Sequence, residues 1–184
     1  MQRVMIVGGP GSGKTTLANA MAERVNLPLW HIDQILWAAD WVERDETDRI
    51  RDLYEIQTLD RWIIDGCYAP TMTERVARAD TLIFLDFPVW QRIARVTWRV
   101  LQHRGEPRPE MPEGCVERFD HNFTEFLDFI WRTRDSLREK MVPLIEEPPA
   151  HLAVHHLRSG REVRRFLADL VPPNQPAIGA VSSA

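Results

Sequence analysis

The sequence predicts an α/β protein, a three-layer α/β/α fold around a five-stranded parallel sheet. Three observations predict it. Short apolar runs alternate with segments of helical periodicity, the pattern of repeated βαβ units with right-handed crossovers. A glycine-rich loop, Gly8-Gly9-Pro10-Gly11-Ser12-Gly13, separates the first apolar run from the first helical segment. Three apolar runs end at an aspartate, at Asp33, Asp65 and Asp86. The carboxyl ends of strands in an open parallel sheet form the ligand crevice, so these carboxylates are expected along one edge, near the glycine loop.

The elements follow in order. Arg3 to Val7 is a mostly apolar run ending in glycines and reads as a buried strand. Lys14 to Val25 has helical spacing, with Leu17, Ala20, Met21 and Val25 on one face. Pro28 interrupts, and Leu29 to Ile32 reads as a second strand ending at Asp33. Residues 45 to 59 place Ile50, Leu53, Tyr54 and Ile56 at helical intervals. Trp62 to Ile64 is a third strand, Thr71 to Arg78 a short helix, and Thr81 to Leu85 a fourth strand. Trp90 to Leu101 reads as a helix. Gly105 to Gly114 holds three prolines and two glycines and reads as a loop. A long helical pattern spans Glu117 to Ile145 and stops before Pro148-Pro149. Leu152 to His155 is the fifth strand and Glu162 to Leu170 the last helix.

The whole chain sets limits. A length of 184 residues suits one well-buried domain. Residues 1–170 are expected to form it, with a lid over about 103–118, and the polar, proline-containing 171–184 is expected to be a disordered tail. The net charge of −4 argues against a protein that coats nucleic acid electrostatically. Cys67 and Cys115 lie far apart and form neither a disulfide framework nor a zinc ribbon, so a cytoplasmic setting is expected. No run is long and apolar enough for a membrane span, and the N-terminus lacks a signal-peptide core. A monomer or a homodimer is equally compatible with the chain.

The glycine loop carries the chemistry. Gly8 to Thr15 matches G-x-x-x-x-G-K-[ST], between a strand and a helix as that motif requires. Glycines let backbone N–H groups turn inward around a phosphate, and the following helix points its positive end at the anion. Lys14 adds a mobile charge between the β- and γ-phosphates, and Thr15 offers a hydroxyl to Mg²⁺. Gly8, Pro10, Gly11, Ser12, Gly13, Lys14, Thr15 and Thr16 are therefore the expected binding positions for a nucleoside triphosphate, MgATP above all. The expected fold is that of the P-loop NTPases.

Neither Asp65 nor Asp86 is followed by a glutamate that could activate water, and no N-K-x-D base reader is present. Arginines after the fourth strand and a proline-glycine lid suit phosphoryl transfer to a small molecule instead, with charge clamped and water kept out.

At these residues the chain resembles the adenylate-kinase-like nucleoside and nucleotide kinases. Asp65-Gly66 after Trp62-Ile63-Ile64 is similar to the D-G pair of that family, and the resemblance implies that Asp65 holds Mg²⁺ through water. Leu85-Asp86-Phe87-Pro88 followed by Arg95 and Arg99 resembles its L-D-V-P…R…R segment. That likeness implies Arg95 against adenine and Arg99 at phosphates. Arg132 and Arg134 sit near the place of another phosphate-binding arginine. A closer resemblance is to the bacterial topology modulation proteins, related to FlaR. It is carried by Gly8 to Thr16, His31-Ile32-Asp33, Trp37, Trp41, Asp65-Gly66 with Tyr68, and Gly114-Cys115 with Glu117-Arg118. That name implies an effect on DNA topology, whereas the kinase-like residues imply small-molecule phosphorylation. Where adenylate kinases read D-G-F-P-R, this chain reads Asp65-Gly66-Cys67-Tyr68-Ala69-Pro70. The arginine for a nucleoside monophosphate is missing there, which shifts the expected acceptor to a neutral, hydroxyl-bearing molecule, as in shikimate or gluconate kinases.

Individual residues carry paired readings. Asp33 is either the base that takes the acceptor's proton or a helix N-cap. Asp65 is expected in the Mg²⁺ shell, and Asp86 competes with it or buttresses the loop. Arg95 and Arg99, with Arg92, form a basic stripe that serves phosphates or solvent. Arg104, Arg108 and Arg118 flank the lid. Trp37, Trp41 and Tyr68 wall an acceptor pocket or join the core, while Trp30, Trp62, Trp90, Trp98 and Trp131 are expected in the core. His155 and His156 should face opposite sides of the sheet. Lys14, Asp33, Arg99 and Arg134 form the expected catalytic set. The leading reading is a kinase acting on an unidentified small-molecule acceptor. The alternatives are an ATP-binding regulator of DNA topology and a nucleotide-triggered hydrolase.

Overall fold

The structure, a computed structural model, describes residues 1–103 and 110–170. Five strands, β1 (Arg3–Gly8), β2 (Leu29–His31), β3 (Trp62–Asp65), β4 (Thr81–Leu85) and β5 (Ala153–Leu157), form one sheet in the order β2-β3-β1-β4-β5. Every neighbouring pair is parallel. The predicted fold class is the observed one. β3 and β4 are buried along their whole length and β1 from Val4 on, which is why they read as unbroken apolar runs rather than alternating ones.

The side chains still alternate between two cores. Met5, Val7, Ile64, Leu82 and Phe84 point to one, which also takes Leu53 of α3 (Glu46–Thr58) and Met141 of α7 (Ser136–Glu146). Val4, Ile6, Ile63, Ile83 and Leu85 point to the other, against Leu17 and Met21 of α1 (Lys14–Val25) and Phe166 of α8 (Gly160–Asp169). The remaining helices are α2 (Ile32–Leu36), α4 (Met72–Arg78), α5 (Val89–His103) and α6 (His121–Arg132). Val96 and Val100 of α5 pack on Phe123 and Ile130 of α6 as a third, smaller cluster.

Register fixes the functional edge. His31 pairs with Asp65, Asp65 with Ile6, and Gly8 with Leu85, so β2 ends level with β3, and β1 ends level with β4 two residues further on. The loop from Gly8 to Gly13 and the residues after β3 and β4 are thereby gathered at one end of the sheet.

Several expectations are corrected. The second strand stops at His31, and Ile32 already belongs to α2, so Asp33 lies in a helix's first turn rather than at a strand end. It is not the N-cap either, since His31 holds that position. The pattern from 117 to 145 is two helices, not one. The Thr133 hydroxyl bonds back to Phe129 O (2.7 Å) and the Ser136 hydroxyl to Thr133 O (3.0 Å), and α7 starts afresh after Asp135. β5 runs two residues beyond His155. Of the expected core tryptophans, Trp62 is fully buried but Trp90, Trp98 and Trp131 are exposed. α5 and α6 are covered on one side only, so their outer aromatics meet solvent. Residues 104–109 of the expected lid, with Arg104 and Arg108, and the expected tail at 171–184 lie outside the described residues.

Candidate functional site

A cleft of about 1260 Å³ opens at the carboxyl edge of the sheet. The loop forms its floor. Gly11 (φ +76°) and Gly13 (φ +91°) take left-handed conformations that a side chain would strain. Gly13 leads into α1, so the helix's unpaired N–H groups and positive end face the cleft mouth. Lys14 Nζ lies 3.4 Å from the carbonyl of Gly9, folded back over the loop it serves. Gly8, Pro10, Gly11, Gly13, Lys14, Thr15 and Thr16 all line the cleft. Ser12 does not; it is buried and presents its carbonyl to Arg95 instead.

Behind the loop stands Asp65, 4% exposed. Its Oδ2 accepts from the Thr15 hydroxyl at 2.8 Å, and His31 Nδ1 lies 3.0 Å from the same oxygen. A carboxylate accepts, so that nitrogen carries the hydrogen. The register of β2 on β3 accounts for this contact, because it sets His31 beside Asp65. Asp65 Oδ1 is buried and has no hydrogen-bond partner among the described residues. Among the described residues, no three His, Cys, Asp or Glu side chains are grouped to hold a metal by themselves. One hydroxyl and one carboxylate with a spare oxygen do fit an ion that takes few protein ligands and completes its shell with phosphate oxygens and water, as Mg²⁺ does.

Asp86 is committed elsewhere. His156 Nε2 sits 2.9 Å from its Oδ2, and Arg138 Nε is 3.5 Å from the same atom. The His156 ring also stacks on Phe84 (5.3 Å, 9° between planes), while His155 turns to the other face against Phe166. Asp86 thus ties β4, β5 and α7 together at the rim. Asp33 lines the cleft, is exposed, and has no side-chain partner among the described residues.

The arginines divide by position. Arg99 lines the cleft and makes a two-pronged pair with Glu117 (2.8 and 2.6 Å). Arg134 also lines it, with its guanidinium over Trp131 (4.9 Å to the ring centre) and 3.2 Å from Asp135. Arg95 does not line it; the guanidinium lies 4.3 Å from the centre of the Phe87 ring and donates to Ser12 O at 3.2 Å. Arg132 pairs with Asp128 on the outer face of α6.

Three features escaped the sequence reading of the site. Arg75 is fully buried, and its guanidinium donates to Gly66 O (3.2 Å), Tyr68 O (2.9 Å) and Thr71 O (3.4 Å). Burial pushes its pKa down to about 10, a shift that the neighbouring Cys67 opposes. It has no carboxylate partner among the described residues and acts as a post for the turn after β3. No local pattern marks such a role. The second feature is a strap. Asp40 and Trp41 both take positive φ (58° and 60°). Asp40 N donates to Glu113 O, Trp41 N to Cys115 Sγ, and the Trp41 indole to Val116 O. Trp37 meets Trp41 edge to face at 5.6 Å, and both line the cleft. The third is Arg92, 5% exposed yet lining the cleft against Gly9 and Gly11. It belongs to the basic stripe, but the stripe alone does not say which arginine turns inward.

Comparison with known proteins agrees with the architecture. The family model of the ATPase family associated with various cellular activities (AAA) matches residues 4–64, from β1 to β3. No curated protein matches the sequence. A shikimate kinase structure from Bacteroides thetaiotaomicron aligns at a TM-score of 0.53 with 21% identity, over 92% of this chain and 95% of that one. A shikimate kinase from Acinetobacter baumannii in complex with shikimate aligns at 0.53 with 19% identity, over 91% and 90%. A sugar kinase from a Janibacter species aligns at 0.51 with 18% identity, over 94% and 96%. The chain has the P-loop NTPase fold, in the architecture shared by these small-molecule kinases.

Proposed function

We propose that this protein is a small-molecule kinase that transfers the γ-phosphoryl group of MgATP to a hydroxyl on a small acceptor. The observation that carries the proposal is that Lys14, Thr15 and the carboxylate of Asp33, unpartnered among the described residues, line one cleft. Its volume of about 1260 Å³ exceeds the usual range for a single small ligand and leaves room for nucleotide and acceptor together.

Each residue then has a task. The N–H groups of Gly8 to Thr15 and the start of α1 hold the phosphates. Lys14 leaves Gly9 O and neutralises charge on the transferring group. Thr15 and Asp65 would hold Mg²⁺, which would screen the phosphate charge. Asp33 takes the proton from the acceptor hydroxyl as its oxygen attacks the γ-phosphorus and the bond to the β–γ bridging oxygen breaks, releasing ADP. Arg99 exchanges Glu117 for phosphate, and Arg134 closes from the α6–α7 junction. Arg95, outside the cleft lining but stacked on Phe87, which does line it, would offer the other face of its guanidinium to a purine that extends past the loop. Trp37 and Trp41 wall the acceptor, a neutral hydroxylated molecule of nucleoside or shikimate size. No helix among the described residues is long and apolar enough to cross a membrane, and two widely spaced cysteines favour the cytoplasm.

The test is ADP release across a library of hydroxylated metabolites. The proposal expects release that depends on one acceptor class and is lost in Lys14→Ala and Asp33→Asn. Release that needs no acceptor would make the protein a hydrolase instead.

A further inference from the structure

Gly9 is the meeting point of two cations. Lys14 Nζ lies 3.4 Å from its carbonyl oxygen. The guanidinium of Arg92 is so close that a Cβ built on Gly9 would stand 1.8 Å from Nη1. Gly11 touches the same segment, since a Cβ there would meet Arg92 O at 2.4 Å. α5 is thus docked on the loop through Arg92, Arg95 and Val96, and the glycines let it approach.

Arg92 is unusual for a charged residue. It is 5% exposed, its Nε is buried without a hydrogen-bond partner, and no ion pair engages its guanidinium among the described residues. Buried charges are normally paired, because desolvation disfavours the charged form. Burial does push its pKa down, while Asp86 and Asp135 act in the opposite direction from a distance. Asp86 is itself held by His156 and Arg138. A structural strut would be expected to find a carbonyl or a carboxylate, as Arg75 finds three carbonyls. Arg92 instead lines the cleft with no ion pair among the described residues.

We propose that Arg92 is a second phosphate-binding cation, paired at Gly9 with Lys14, that recognises the terminal phosphate and so distinguishes a nucleoside triphosphate from a diphosphate. The inference rests on the nucleotide reading above and extends it, because it assigns the triphosphate preference to a side chain outside the motif. A buried cation with no ion pair among the described residues destabilises the folded protein, and a bound anion satisfies it. Stability and binding should therefore respond to its removal in opposite directions.

The experiment compares wild type, Arg92→Met and Arg92→Lys by calorimetric titration with Mg²⁺ and either AMP-PNP or ADP, together with melting temperatures of the free proteins. The expected result for Arg92→Met is AMP-PNP affinity lowered about tenfold or more, ADP affinity within about threefold, and a free-protein Tm at or above wild type. Arg92→Lys should recover part of the AMP-PNP affinity. Equal loss for both nucleotides with a lowered Tm would show a strut and overturn the proposal, as would no loss for either. If Arg92→Met does not fold, Arg92→Lys carries the same comparison, and an unchanged AMP-PNP to ADP ratio in it overturns the proposal. Failure of wild type to bind either nucleotide would instead overturn the nucleotide reading itself, and this inference with it.

Discussion

The Thr15 hydroxyl donates to Asp65 Oδ2 across 2.8 Å, joining the first turn of α1 to the end of β3, fifty positions on in sequence. The contact leaves Asp65 Oδ1 buried and without a partner among the described residues, and it ties the loop to the sheet. Asp65→Asn should therefore keep the fold but lose Mg²⁺ dependence. Nucleotide affinity in the presence of Mg²⁺ should fall about 10- to 100-fold, toward its value in EDTA, where wild type and variant converge. Equal Mg²⁺ enhancement in both proteins would assign the ion elsewhere.

Asp33 should separate binding from turnover. It stands in the first turn of α2, unpartnered among the described residues, and reaches the cleft rather than the phosphate loop. Asp33→Asn is expected to leave nucleotide affinity within about threefold and to cut acceptor-dependent ADP release by about 10²- to 10⁴-fold. A variant that turns over at the wild-type rate would remove Asp33 from the mechanism.

Arg75 is expected to be structural. Replacement by Met leaves the carbonyls of Gly66, Tyr68 and Thr71 without their shared donor. The loss should be about 2–4 kcal/mol by urea denaturation, with Arg75→Lys recovering little, because an ammonium cannot span the same fork. Unchanged stability in Arg75→Met would refute the assignment.

The strap makes a further stability prediction. Gly114 has φ +77°, and a Cβ there would lie 2.1 Å from Asp40 Oδ1. Gly114→Ala should cost about 1–2 kcal/mol, lowering Tm by about 2–8 °C. A melting curve superimposable on wild type would show that the 38–41 and 113–116 segments do not depend on each other.

Burial beside Phe166 lowers the pKa of His155 below its ordinary value of 6.5. The unfolded chain then binds the proton more readily than the folded one. This residue's share of stability is present above pH about 6.5 and is lost as pH falls through the folded pKa. His155→Phe should flatten the decline in Tm between pH about 7 and about 5. A decline as steep as in wild type would place its cause at other groups.

Much of the fold was legible because its signals are local. The runs at β1, β3 and β4 are apolar because both faces are covered, and the loop motif names its own residues. Asp33 lines the cleft as expected although it lies in a helix and not at a strand end, since Ile32 continues an apolar run whether it belongs to a strand or opens a helix. The split at Thr133–Asp135 hides in an unbroken helical pattern, because the interruption comes from hydroxyl back-bonding and not from Gly or Pro. Arg92, Arg75 and the Trp41–Cys115 contact join segments that only the folded chain brings together. No spacing rule could report which of Arg92, Arg95 and Arg99 turns toward Gly9.

The central claim is that this cleft holds the phosphates of a nucleoside triphosphate. Thermal unfolding in Mg²⁺ with adenosine, ADP and AMP-PNP, for wild type and Lys14→Ala, tests it most directly. The account predicts a Tm that rises with phosphate number in wild type and a rise abolished in Lys14→Ala, by the mass-action stabilisation of the folded state. A wild-type Tm unmoved by every nucleotide would contradict it.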